Sequence, residues 1–198
     1  RAKLFGEYYR QIDKDKTDFY VVGFDARKYF KIHRCFIWAN RLAASTSFGN
    51  QKLIYYMGGV DNWFNPKFDH GTMVANDQGY AYQSLATNMR GFYQNVRNGN
   101  SFVVLNSELR FPIFKYLYHR PIRADFIENF QIINFVDVGT AWSGRSPYDD
   151  RSSLNTTVVS NNQGAIVATL YSQHNPIVGG YGWGLRTRLF GYFIRFDR

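Results

Sequence analysis

An all-β, antiparallel transmembrane barrel segment is the fold class this sequence predicts, and three observations predict it. Apolar and polar residues alternate with a period of two over runs longer than the roughly five to six residues of an ordinary strand. Short polar turns alternate with two long loops, about 61–100 and 143–176, which is the sidedness of a barrel with short turns at one membrane surface and long loops at the other. No stretch shows a convincing helical period, and no apolar run reaches the roughly 18 residues that a membrane-crossing helix needs.

About eight strands are expected, starting near residues 2, 18, 34, 51, 101, 123, 177 and 190. The first is the strand-like run that follows Arg1. In "DFYVVGFDARKYFKIH" (18–33), Tyr20, Val22, Phe24, Ala26, Phe30 and Ile32 share one face, and Asp25, Arg27, Lys31 and His33 share the other. "RCFIWANRLAASTSF" (34–48) sets Phe36, Trp38, Leu42 and Phe48 opposite Arg41, Ser45 and Ser47. A further strand is expected near 51. "FVVLNSELRFPIF" (102–114) sets Val103, Leu105, Leu109, Phe111 and Ile113 against Asn106, Glu108 and Arg110. "RADFIENFQIINFVDVGTAW" (123–142) has Phe126, Phe130, Ile132, Val136, Val138 and Trp142 on one side and Asp125, Asn129, Gln131 and Asp137 on the other. Glu128 and Asn134 break its apolar face. "IVGGYGWGLRTRLFGYFIRFD" (177–197) reads as two strands with a tight turn near Arg188. There Tyr181, Trp183 and Leu185 oppose Gly180, Gly182, Gly184 and Arg186, and Phe190, Tyr192, Ile194 and Phe196 oppose Arg195 and Asp197.

The turns are read at "DKDKT", "KIHR", "FGNQ" and "RTRL", and Asn98-Gly99 is a strong hairpin signal. Tyr29, Trp63, Tyr116, Tyr118 and Trp142, near strand ends, suit interfacial girdles. The strand length and the polar inward face argue against a soluble sandwich. The chain reads as a single domain, 1–198, that is an incomplete segment of something longer.

The 24 basic and 15 acidic residues give a net charge of +9, which favours polyanionic partners such as nucleic acid, phospholipid or lipopolysaccharide headgroups. The basic residues are dispersed, which weakens the nucleic-acid reading. "RGFYQNV" begins like an RNA-recognition submotif, but Tyr93, Gln94 and Asn95 break the alternation that would make a stacking platform. With Cys35 alone there is no internal disulfide and no cysteine metal site, and its expected role is a small buried or lipid-facing residue. His33, His70, His119 and His174 lie far apart without ligand spacing. "DKDKTD" (13–18) lacks the glycine and closing glutamate of a calcium loop. "GGYGWG" (179–184) is followed by no helix and so is no phosphate cradle; its alternating glycines instead invite close approach by something bulky. No serine sits in a nucleophile elbow. The expectation is no enzyme, no cofactor and no metal.

Glu108 and Asp137, inward on neighbouring strands, could form a glycosidase pair, but Arg110 and Arg186, with Arg90 available, point to ion pairing. A guanidinium can bind two carboxylates through its fork of donors. A long loop that carried Arg90 inward would satisfy both acids. Gly91 would let the chain turn there, and Phe92 could wedge against the glycine-lined wall.

In chain order, "GG" (58–59), "MRGF" (89–92), "SELRFPIF" (107–114), "FVDVGTAW" (135–142) and "GWGLRTRLFGYFIRFD" (182–197) resemble the C-terminal barrel of the bacterial surface antigen superfamily. That superfamily includes BamA-type assembly proteins and TpsB-type secretion transporters. The resemblance spans about 50–198 and is nearest to barrels of Bacteroidetes type. It implies a sixteen-stranded barrel, of which this chain supplies about the eighth through the fifteenth strand. It implies that Met89, Arg90, Gly91 and Phe92 are a loop tip folded into the lumen, with Met in place of the family's Val. Glu108 and Asp137 would then be the partners of Arg90, with Phe135 and Gly139 in the motif of the Asp137 strand and Gly180, Gly182 and Gly184 on the wall. Three departures stand out: about thirty residues between Gly59 and Met89 where many members have few, no POTRA domain, and no final strand after Asp197.

The implied function is assembling or translocating protein at the outer membrane of a Gram-negative bacterium. Its partners would be outer-membrane lipids and lipopolysaccharide, β-rich client proteins and accessory lipoproteins, with no nucleic acid. Two alternatives stand beside it: a barrel that anchors an N-terminal periplasmic or enzymatic domain, and a soluble basic β-domain that binds nucleic acid.

Overall fold

Alternation along the chain becomes a single antiparallel wall. In the computed structural model, which describes residues 1–12, 17–75, 79–118, 120–150, 152, 154–160, 167–171 and 174–198, the chain runs β1 (Ala2–Arg10), β2 (Asp18–His33), β3 (Phe36–Gly49), β4 (Lys52–Met57), β5 (Tyr80–Leu85), β6 (Arg97–Gly99) and β7 (Ser101–Phe111). It continues through α1 (Ile113–Leu117), α2 (Asp125–Glu128), β8 (Gln131–Trp142), β9 (Thr156–Ser160), β10 (Val167–Tyr171), β11 (Val178–Leu189) and β12 (Tyr192–Asp197). Seven strands form the wall in the order β1-β2-β3-β7-β8-β11-β12. The wall is an open sheet, because among the described residues β1 and β12 have one neighbour each.

A second sheet of three strands, β5-β4-β6, packs on one face of the wall, here the inner face. Between them lies the buried cluster of Ala43, Tyr55, Met57, Met89, Phe102, Val104 and Ala141. The opposite, outer face carries an exposed apolar surface that includes Tyr20, Val22, Phe24, Trp38, Leu42, Phe48, Val103, Leu105, Leu109, Val136, Val138, Tyr181, Trp183 and Ile194. Register aligns these side chains into rows, such as Ala26, Leu42, Leu105 and Val138. Between the levels of Tyr20 and Phe30, Lys28 is the one charged side chain on the outer face of β1, β2, β3, β7 and β8. The inner face has the reverse character, with Asp25, Arg27, Arg41, Glu108, Arg110, Asp137 and Arg186.

Several expectations need correction. The strand near 51 is no wall strand: β4 leaves the sheet and pairs with β5 and β6, and β3 pairs directly with β7. The wall therefore has seven strands from this chain rather than eight. The run 123–142 is not one strand, because 125–128 forms α2 and β8 begins at Gln131. Helices are present, though each is about one turn. The last hairpin turns at Phe190-Gly191, where both residues have positive φ (50° and 84°), and "RTRL" lies inside β11. Asn98-Gly99 sits within β6 and makes no hairpin turn. Cys35 is half-exposed in the β2–β3 turn. Tyr29 and Trp63 line the inner cavity rather than a girdle, and Tyr116 packs against His33 and Phe111 beyond the end of the wall.

The aromatic rows of the outer face use other residues. Tyr8, Tyr20 and Phe48 line up along one level, with centroids 4.8 and 5.6 Å apart. Phe30 and Trp38 pair near the other end at 5.4 Å, and farther along the sheet Trp183 meets Phe196 at 6.1 Å. Of the predicted long loops, 61–100 holds β5 and β6, and 143–176 holds the β9–β10 hairpin. Part of "DKDKT" and His119 lie outside the described residues.

Candidate functional site

The loop between β3 and β7 returns to its starting point before it reaches its tip. Gly59 and Met89 form a bridge, with the Met89 N–H donating to the Gly59 carbonyl at 2.8 Å. The Gly59 N–H donates to the Phe92 carbonyl at 3.0 Å. The residues between, nominally an insertion, therefore leave and rejoin at one place. Met89 is fully buried in the cluster between the two sheets, which anchors the tip by apolar contact. Gly91 supplies the turn with φ of 86°, in the left-handed region that glycine enters at little cost.

Arg90 follows, 5% exposed. Its Nε and Nη2 donate to Asp137 Oδ2 and Oδ1, both at 2.7 Å, a bidentate fork on one carboxylate. Its backbone N–H donates to the same Oδ2 at 3.0 Å. Nη1 donates to Glu108 Oε1 at 2.6 Å. The guanidinium carbon lies 3.9 Å from the centroid of the Phe135 ring, a close cation–π contact. Burial works against the charge of Arg90, but the hydrogen bonds and negative charges of Asp137 and Glu108 more than offset it and raise its pKa above the ordinary value. Register explains why the acids converge. On β8, Phe135, Asp137 and Gly139 project to the inner face, and on β7 Glu108 pairs with Phe135 while Asn106 pairs with Asp137.

Glu108 is shared. Arg110 Nε donates to its Oε2 at 2.8 Å, and Arg186 Nη2 donates to its Oε1 at 2.8 Å. The result is an alternating chain of charge, Asp137 to Arg90 to Glu108 to Arg110 and Arg186. A second, separate cluster on the inner face places both Arg27 and Arg41 on Asp25.

The glycine wall carries the other side of the tip. A Cβ at Gly180 would stand 2.7 Å from the Arg90 carbonyl oxygen and 3.0 Å from Phe92 Cε2, so the tip rests on bare backbone there. Gly182 is covered by Phe135, Gly184 by Asp197, and Gly139 by Val104 and Met57.

Three contacts were not foreseen, although Phe135 was named for its strand motif and Asn106 for the inward face of its strand. Phe135 holds the guanidinium face, Asn106 donates to the Asn88 carbonyl at 3.0 Å, and Asn88 Oδ1 accepts the Asp61 N–H at 2.8 Å. The inner-face parity of β8 could have found Phe135. Alternation turns Asn106 inward, but no sequence pattern marks Asn88. Beyond the tip, Asn95 and Asn98 are buried and tie the loop to itself, since Asn95 donates to the carbonyls of Asp69 and Thr72. Burial lowers the pKa of Arg97 and raises that of Tyr55, whose hydroxyl meets Ser45 at 2.8 Å.

A cavity of about 1180 Å³ adjoins the tip, lined by Arg27, Arg41, Trp63, Arg110, Arg186 and Arg195 among others. Among the described residues no group of three or more His, Cys, Asp or Glu is placed to hold a metal. Both acids of the clasp accept from guanidinium donors, an arrangement suited to pinning a loop rather than to exchanging protons with a substrate. Fold and site together define a class: an antiparallel β wall with a charged inner face and an arginine-pinned loop. Among known proteins the chain matches no family model, no curated protein and no solved structure.

Proposed function

We propose that this chain is part of the wall of an outer-membrane β-barrel of the surface antigen type, which inserts or moves β-rich protein at that membrane. One observation carries the reading: the wall is apolar outside and charged inside. In water this distribution is unfavourable, since monomeric soluble proteins rarely expose apolar patches beyond a few hundred Å². In a bilayer it is what stability requires. The spacing fits too. Tyr20 and Phe30 are ten residues apart on β2, about 33 Å along a strand, or about 25 Å of height at an ordinary barrel tilt, the height of a barrel's apolar band.

The two open edges agree with this reading, because lipid tolerates no unpaired backbone and further strands must complete the wall. The Arg90 tip then braces the interior of the barrel. A strand edge near such a braced wall offers a client chain a template for pairing.

The test uses the full-length protein reconstituted into vesicles whose lipids carry brominated chains. Quenching of Trp38 and Trp183, with Trp63 spared, is the expected result. Failure to insert, or quenching of Trp63 alone, overturns the membrane reading. Depletion of the protein in its host then separates the functions. Loss of other barrels from the outer membrane supports assembly, and their normal abundance favours a barrel that only anchors another domain.

A further inference from the structure

At the end of the wall opposite the long loops, two of the three connections are tight turns, Arg34-Cys35 and Phe190-Gly191. The third, 112–130 between β7 and β8, is far longer and contains α1 and α2. It is held beneath the wall at both ends. Tyr116 OH lies 3.0 Å from His33 Nδ1, and the Tyr116 ring sits 4.9 Å from Phe111. At the other end Thr187 Oγ1 donates to the Phe126 carbonyl at 2.7 Å. The described residues of the connector, 112–118 and 120–130, thus reach from the β2–β3 turn to β11.

Its exposed surface mixes two kinds of side chain. Leu117 and Tyr118 are 61% and 62% exposed, and Phe126 and Ile127 are also exposed. Beside them stand exposed Lys115, Arg120 and Arg123, with Lys31 near the end of β2 and Arg34 in the turn that follows. The Arg34 guanidinium lies over the Tyr116 ring at 5.8 Å, and Lys28 Nζ lies over Phe30 at 4.8 Å. The connector also carries two acids: Glu128 lies 3.5 Å from Lys115, and Asp125 lies 3.6 Å from Arg188 and accepts from Asn129 Nδ2 at 2.6 Å. Apolar side chains that enter an interface beside cations that stay at its surface are the composition of a membrane-surface segment.

We infer that the 112–130 connector is a docking strip for anionic phospholipid headgroups, with Arg34, Lys115, Arg120 and Arg123 meeting the phosphates. The inference rests on the membrane reading above. The position supports it, because the strip lies beyond the level of the Phe30–Trp38 pair, at the short-turn end of the wall. Charge complementarity selects acidic lipids over zwitterionic ones.

The full-length protein is reconstituted into phosphatidylcholine vesicles containing trace headgroup-labelled phosphatidylglycerol or phosphatidylcholine. Energy transfer from the protein's tryptophans reports how each lipid is enriched around it. The expected result is a preference for phosphatidylglycerol that weakens with added salt. It should fall about fivefold for each cation removed at low salt, as read in Lys115→Gln/Arg123→Gln and in the quadruple variant with Arg34→Gln and Arg120→Gln. The Arg120→Lys/Arg123→Lys variant should keep it. No preference in the wild type, or one unchanged in the quadruple variant, overturns the inference while insertion into the neutral vesicles leaves the membrane reading standing. Absence of insertion in every vesicle overturns both.

Discussion

Arg90 is where the sequence and the geometry meet most closely. Alternation places Glu108 and Asp137 on one face of two strands that the register makes neighbours, and the structure seats the guanidinium between them. The two acids are not equivalent. Glu108 keeps Arg110 and Arg186 if Arg90 is removed, whereas fully buried Asp137 is left with no charged partner within the clasp. Arg90→Ala should therefore destabilise the seated loop by about 3–5 kcal/mol, the cost of breaking a buried pair. Arg90→Ala combined with Asp137→Ala should be less harmful than the two single effects added together. Arg90→Lys should fall between, because an ammonium cannot reproduce the fork. Heat-dependent mobility in gels and the rate of proteolysis within 60–88 measure all three, and wild-type values in Arg90→Ala would remove the bracing role. Alternation could turn Phe135 and Asn106 inward, but not pair them with Arg90 and Asn88, since both contacts depend on the height at which the tip lands.

At the scale of elements, the long wall strands were legible because one apolar and one polar face force a period of two. β4 was misplaced for the same reason. "KLIYYM" alternates little, with Ile54 and Tyr55 both buried between the wall and the loop, and periodicity cannot distinguish a wall strand from one packed upon the wall. The helices escaped because five and four residues are too few to display a 3.6-residue period. Their trace was the close spacing of Phe126, Ile127 and Phe130 between Pro121 and β8. β11 offers a controlled test of the glycine wall. Gly180→Ala would drive a methyl group into the Arg90 carbonyl, whereas at Gly179, on the outer face, the nearest atom is Val138 Cγ2 at an ordinary 3.5 Å. The first should cost about 1–3 kcal/mol, as overpacking does, and the second should be near neutral. Equal thermal stability of the two variants would show that the tip does not rest there.

For the molecule as a whole, the open question is what lies beyond β12. Trp183 and Arg198 exchange both backbone hydrogen bonds, so in the alternating antiparallel pattern the N–H groups of Phe193, Arg195 and Asp197 point away from β11. If the wall continues, those donors belong to the next strand. Phe193→Pro in the full-length protein should then lower stability by about 3 kcal/mol, comparable to a proline placed where its N–H was needed. A proline on a free edge would be tolerated, and unchanged unfolding would mean that β12 is an edge. The alternation that revealed the wall is a property of each strand and carries no signal for what pairs with β1 or β12.

The seat of the tip also fixes an order of events. Arg90 precedes Asp137 by 47 residues and Gly180 by still more, and its seat needs side chains or backbone from β7, β8 and β11. The hairpin has nowhere to settle until those three have zipped together. Protection of 60–88 from protease during refolding would therefore keep time for the sheet, marking the moment at which β7, β8 and β11 have come together beneath the loop.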